Sequence, residues 1–155
     1  MQLTSEVDWD ETDFIVMAIL IFSTGFSYKL VTMKSENFIY KGAVGLALFT
    51  GFFLIWANLA VGIIGSEDNP INLLYFGVIF IGIIAAFMAR FRSKGMTLAM
   101  CAMAIAHALV AAIALIGDFY QSPPSTVFHI IGINVFFITL FMISAFLFRY
   151  AAHRN

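Results

Sequence analysis

Residues 71–116 read INLLYFGVIFIGIIAAFMARFRSKGMTLAMCAMAIAHALVAAIALI, and this stretch decides the fold. Two apolar runs, Ile71–Phe91 and Met96–Ile116, flank the charged break Arg92-Ser93-Lys94-Gly95. Each run has the roughly 20 residues needed to cross a hydrocarbon core. Lipid offers the backbone no hydrogen-bond partner, so a run that crosses it must satisfy its own N–H and C=O groups as a helix. So short a break forces the second helix to return antiparallel to the first.

Working outward, three more runs qualify: residues 14–33, 38–64 and 126–148. They are separated by turn chemistry. Gly65-Ser66-Glu67-Asp68-Asn69-Pro70 stands before residue 71, and the stretch from Gly117 to Pro124 holds Asp118 and a double proline. The expected fold is a single all-α transmembrane domain over 1–155, a bundle of five helices. Composition agrees. The chain is 62% hydrophobic and 11% charged, with 18 Phe, whereas soluble domains average about 45–50% apolar and about 25% charged. A cleavable leader opens on a basic segment. Here the first 13 residues carry Glu6, Asp8, Asp10, Glu11 and Asp13 and no Lys or Arg, so the first run is expected to be a retained helix.

Charge sets the expected direction. With five spans, all eight basic residues (Lys29, Lys34, Lys41, Arg90, Arg92, Lys94, Arg149 and Arg154) fall on one side. Eight of the nine acids fall on the other, Glu36 being the exception. Basic loops stay cytoplasmic, which places the N-terminus outside and the C-terminus in the cytoplasm. A four-span reading would put basic clusters on both sides. The expected location is the plasma membrane, the inner membrane of a bacterium. Trp9, Tyr40, Tyr75, Tyr120 and Tyr150 lie near span ends, as interfacial aromatics do. The pairs Lys41-Gly42 and Lys94-Gly95 each open a span that ends at a glycine before acids and proline. This faint repeat is also what any two membrane hairpins share.

Small residues and polar contacts, not the hydrophobic effect, hold helices together in lipid. Ala43, Ala47 and Gly51 form such a stripe in the second span, and the fourth span is rich in alanine. The fifth is rich in phenylalanine, which suits lipid contact or a subunit seam. Spans two, three and four are therefore expected at the centre, with span four central or at an oligomer contact.

No Asp, Glu, Lys or Arg stands near the middle of any span, whereas pumps, proton relays and voltage sensors place charge there. The polar candidates are Asn58, His107, Asn134 and His129. At about 1.5 Å rise per residue, Asn58 lies roughly 10 Å, His107 about 15 Å, Asn134 about 12 Å and His129 about 5 Å below the outer ends of their spans. Asn58, His107 and Asn134 are thus placed at one level, either as a polar cavity open to the outside or as hydrogen bonds that fix register. Glu67, Asp68 and Asn69, with Asp118, stand at its mouth. Carboxylates and amide oxygens suit hard cations, but the calcium-loop spacing is absent and the turn equally reads as a solvated acidic loop.

The metal and cofactor content stays unknown at this point. His107 and His129 differ too much in depth for bis-histidine haem, and no mid-span lysine exists to hold retinal. The lone Cys101 cannot form an internal disulfide. No nucleophile–base pair, phosphate loop or nucleic-acid surface is evident. The expected function is that of a non-enzymatic oligomeric channel or transport-type protein, or an accessory subunit. It would carry a polar cluster in its outer half and have lipid, its own copies or a larger membrane complex as partners. The alternative is a cofactor- or lipid-handling membrane enzyme that uses His107.

Overall fold

The computed structural model describes residues 11–65, 68–119 and 126–153, and among them there is no β-strand. The helices are α1 (Glu11–Thr32), α2 (Phe38–Ala60), α3 (Leu73–Met88), α4 (Ser93–Ile116) and α5 (Val127–His153). A single 3₁₀ turn, Pro70–Asn72, leads into α3. All five helices are long and apolar enough to cross a membrane, the third counted together with its 3₁₀ turn.

Local chemistry sets the ends. The Asn37 side chain caps α2, accepting from the N–H groups of Ile39 at 3.0 Å and Tyr40 at 3.1 Å. At the other end α2 stops at Ala60, earlier than the apolar run to residue 64 predicts. The chain turns at Gly62 and Gly65, with φ of 69° and 71°, a backbone region that glycine enters without steric cost. Ile63 and Ile64 are nonetheless fully buried, so the run stays apolar after the helix has ended.

α3 closes in a Schellman motif: Phe91 N–H donates to Ala86 O at 3.2 Å and Arg90 N–H to Phe87 O at 2.9 Å. Arg90 and Phe91 take positive φ, 49° and 56°, where glycine is usual. Gly95 then lets α4 start against α3, since a Cβ there would lie 2.5 Å from Ala89 Cβ.

The helices pack in the order α1, α2, α5, α4, α3. α5 makes its most extensive contacts with α4 and α2, while α2 and α3, neighbours in the chain, barely touch. This corrects the expectation that α2, α3 and α4 form the centre with α5 outside. α5 is two-faced. Phe137, Phe141 and Phe148 are fully buried with Ser144, Ala145 and Ala151, whereas Phe128, Phe136 and Phe146 face outward. Buried and outward phenylalanines alternate with helical period. α1 packs on α2 and buries only Thr32.

Polar bonds join the basic end. Asn37 Nδ2 donates to Ala151 O at 3.4 Å, and Tyr40 OH donates to Phe91 O at 2.5 Å. The Tyr40 ring also meets Phe148 edge-on at 5.4 Å. The start of α2, the α3–α4 turn and the end of α5 therefore share one end of the bundle. Further along, Ser144 Oγ donates to Ala43 O at 2.9 Å, where the small residue admits α5 close to the α2 backbone. The opposite, acidic end carries Asp68 and Asp118.

Candidate functional site

The acidic end contains two separate polar arrangements. The first is an open cleft of about 390 Å³ between the last turn of α2, the 68–72 turn and the start of α3. Asn58, Asp68, Asn69, Asn72, Leu73 and Phe76 line it. Two asparagines build the turn. Asn69 Oδ1 accepts from Ile71 N–H at 3.2 Å, capping the 3₁₀ turn, and Pro70 occupies its first position, where no N–H is needed.

Asn72 braces the loop from behind. Its Oδ1 accepts from Ile63 N–H at 3.2 Å and Ile64 N–H at 3.0 Å, and its Nδ2 donates to Ile64 O at 3.1 Å. Those backbone groups lie in buried, non-helical chain and would otherwise lack partners.

Asn58 enters the cleft wall from α2. The residue is 4% exposed. Its Nδ2 donates to Leu54 O at 3.0 Å within the helix, and its Oδ1 is buried with no partner. An unpaired buried amide oxygen costs about 1–3 kcal/mol, so this atom has an unmet demand for a donor.

The second arrangement is closed. Tyr75 OH donates to Asn134 Oδ1 at 3.0 Å, and Asn134 Nδ2 donates to Ile130 O at 2.8 Å. His107 lies against this pair. Its ring centroid is 4.9 Å from Tyr75, 5.4 Å from Phe137 and 6.1 Å from Phe141. His107 is fully buried, and neither ring nitrogen has a partner.

The structure sets His107 and Asn134 each against Tyr75. Asn58 sits in the last turn of α2 and lines the cleft. His129 is exposed in the first turn of α5 and stands apart from both arrangements. Asp68 and Asn69 are at the cleft, and Glu67 lies outside the described residues.

Sequence reasoning missed Asn72 and the inward turn of Tyr75. The signal for Asn72 is a second asparagine just past an Asn-Pro turn. Tyr75 reads as an interfacial aromatic by position, yet it is fully buried on the α3 face shared with Val78 and Gly82.

Comparison with protein-family models, curated proteins and solved structures finds no match.

Chemically, the described residues of the cleft offer oxygen acceptors and one carboxylate, not a nucleophile with a base. Among the described residues no three His, Cys, Asp or Glu side chains group as a metal site. A second cleft of about 560 Å³, between α2 and α5, is lined by apolar residues including Phe53, Trp56, Gly132 and Phe136. His107 lines neither cleft.

Proposed function

We propose that this chain is a multi-pass plasma-membrane protein with its N-terminus outside and its C-terminus in the cytoplasm. It binds a small solute at the outer cleft and performs no catalysis of its own, working as a homo-oligomer or as a subunit of a larger membrane complex. The observation that carries the reading is Asn58 Oδ1, a buried acceptor without a partner in the wall of an open cleft.

Three features support the rest. Arg90, Arg92, Lys94 and Arg149 gather at the end opposite Asp68 and Asp118, the distribution expected of a cytoplasmic face. The middle of the bundle is filled by the fully buried His107, Phe137 and Phe141. That favours a binding or accessory role over a channel through one chain. Ala108 and Ala112, four residues apart on the outward face of α4, are small residues of the kind that let helices of two copies approach.

The test is thiol accessibility in a Cys101→Ala background, using single cysteines at Leu73, Arg92 and His107 and a membrane-impermeant maleimide on intact cells. Leu73→Cys is expected to label from outside, Arg92→Cys only after permeabilisation, and His107→Cys not at all. Labelling of Arg92→Cys in intact cells would invert the topology. An unreactive Leu73→Cys would remove the open cleft.

A further inference from the structure

We propose that the outer cleft is a site for a primary ammonium group, carried by a small organic amine or by an ethanolamine lipid headgroup. The inference rests on the cleft being open to the outside and names what it takes. Among the described residues, the side-chain atom of the wall left buried without a partner is an acceptor. Asn58 Oδ1 is buried without a partner, and Asp68 is the one ionisable side chain among the described residues of the lining. The amide donors nearest to hand are engaged: Asn58 Nδ2 is bonded to Leu54 O and Asn72 Nδ2 to Ile64 O. No Lys, Arg or His lines the cleft among the described residues to receive an anion.

An acceptor-rich, anionic cleft selects a cationic donor. Two kinds exist, a metal ion and an ammonium. A hard divalent cation requires about six oxygen ligands. Here Asn72 Oδ1 accepts from both Ile63 and Ile64 N–H, and Asn69 Oδ1 accepts from Ile71 N–H. The one unpartnered amide oxygen and the one carboxylate among the described lining side chains are a sparse set for a metal, but they match an R–NH₃⁺ group with its three donors. The rest of the wall agrees. Phe76 supplies an aromatic ring to the lining, and rings attract cations. Leu73 adds apolar surface suited to the carbon attached to the nitrogen. A primary ammonium satisfies Asn58 Oδ1 with an N–H, which a quaternary ammonium lacks.

The experiment is thermal unfolding of the full chain in phosphatidylcholine nanodiscs, titrated at matched ionic strength with ethylammonium, tetramethylammonium, sodium, magnesium or calcium chloride. Ethylammonium is expected to raise the melting temperature saturably, and the other four are not. Asp68→Asn, at an exposed position, is expected to weaken the apparent affinity at least tenfold without changing the melting temperature of the free protein. Leu73→Trp, at a position 67% exposed, is expected to fill the cleft and abolish the response.

The two sources of the amine separate when phosphatidylethanolamine is added to the nanodiscs. A headgroup site is then occupied, and the apparent ethylammonium affinity falls severalfold. A free-amine site is indifferent to that lipid. Equal shifts with tetramethylammonium, a stronger response to magnesium or calcium, or a response that survives both variants would overturn the ammonium assignment. Labelling of Leu73→Cys from outside without any amine response refutes the ligand class alone, whereas no labelling refutes the open cleft itself.

Discussion

Replacing Asn72 by leucine, a side chain of similar size, tests how the acidic end is built. The substitution removes three hydrogen bonds at once, two accepted from Ile63 and Ile64 and one donated to Ile64. It strands backbone groups in residues only 1% and 0% exposed. A typical intramolecular hydrogen bond is worth about 0.5–1.5 kcal/mol net, and side-chain bonds between membrane helices average ~0.6 kcal/mol. Three bonds at the lower end, with buried groups left unpaired, give a loss of about 2–3 kcal/mol. For a chain of this size each kcal/mol moves the melting temperature by about 2–4 °C. Asn72→Leu is therefore expected to melt roughly 4–12 °C lower in the same detergent, followed by far-ultraviolet circular dichroism. Asn69→Ala is the internal comparison. It removes one bond, to Ile71 N–H, and is expected to cost about 0.5–1 kcal/mol. An Asn72→Leu protein that melts with the wild type, or no lower than Asn69→Ala, would refute the bracing role.

Four further outcomes are expected. Tyr75→Phe leaves Asn134 Oδ1 unpaired and buried and is expected to cost about 1–2 kcal/mol. Adding Asn134→Leu removes the stranded group and is expected to recover part of that loss in a chemical-unfolding double-mutant cycle; additive losses would count against the pair. Gly95→Ala drives a Cβ into Ala89 and is expected to cost about 1–3 kcal/mol by equilibrium unfolding. Gly42→Ala meets nothing within 4 Å, and the greater helix propensity of alanine is expected to stabilise the protein by up to about 1 kcal/mol. His107→Leu deletes two unpartnered ring nitrogens and loses ring contacts worth about 0.5–1.5 kcal/mol each, so stability is expected to stay within about 1–2 kcal/mol of wild type. A loss above that range would show that the imidazole nitrogens are bonded to a ligand or water.

Helix number was legible in the sequence because crossing a bilayer sets a length that apolar runs such as 71–91 and 96–116 either meet or miss. Where the helices end was less legible. Val61-Gly62-Ile63-Ile64 continues the apolar run, but hydropathy reports burial and not helicity, and the Asn72 side chain takes over the backbone bonds that the helix gives up. Asn58 accordingly stands in the last turn of α2, in the wall of the open cleft. The packing order was misread for a related reason. Counting phenylalanines suits α5 to lipid contact or a subunit seam, while their spacing, with Phe137, Phe141 and Phe148 on one stripe alongside Ser144 and Ala151, marks an inward face. Depth alone sets His107 and Asn134 at one level. Their shared contact with Tyr75 depends on how α3 is rotated, which no single-helix pattern in α3 specifies.

The packing order also constrains how the chain is made. α2 and α3 follow one another in the chain but hardly touch; each takes its principal partner from the α4–α5 hairpin, which lies C-terminal to both. Before α4 and α5 are made, α2 and α3 therefore have few contacts with which to assemble. Only when α5 emerges can it wedge between α2 and α4 and close the basic end through Asn37 and Ala151. α5 is the keystone, and a chain truncated before it loses the principal partner of both α2 and α4.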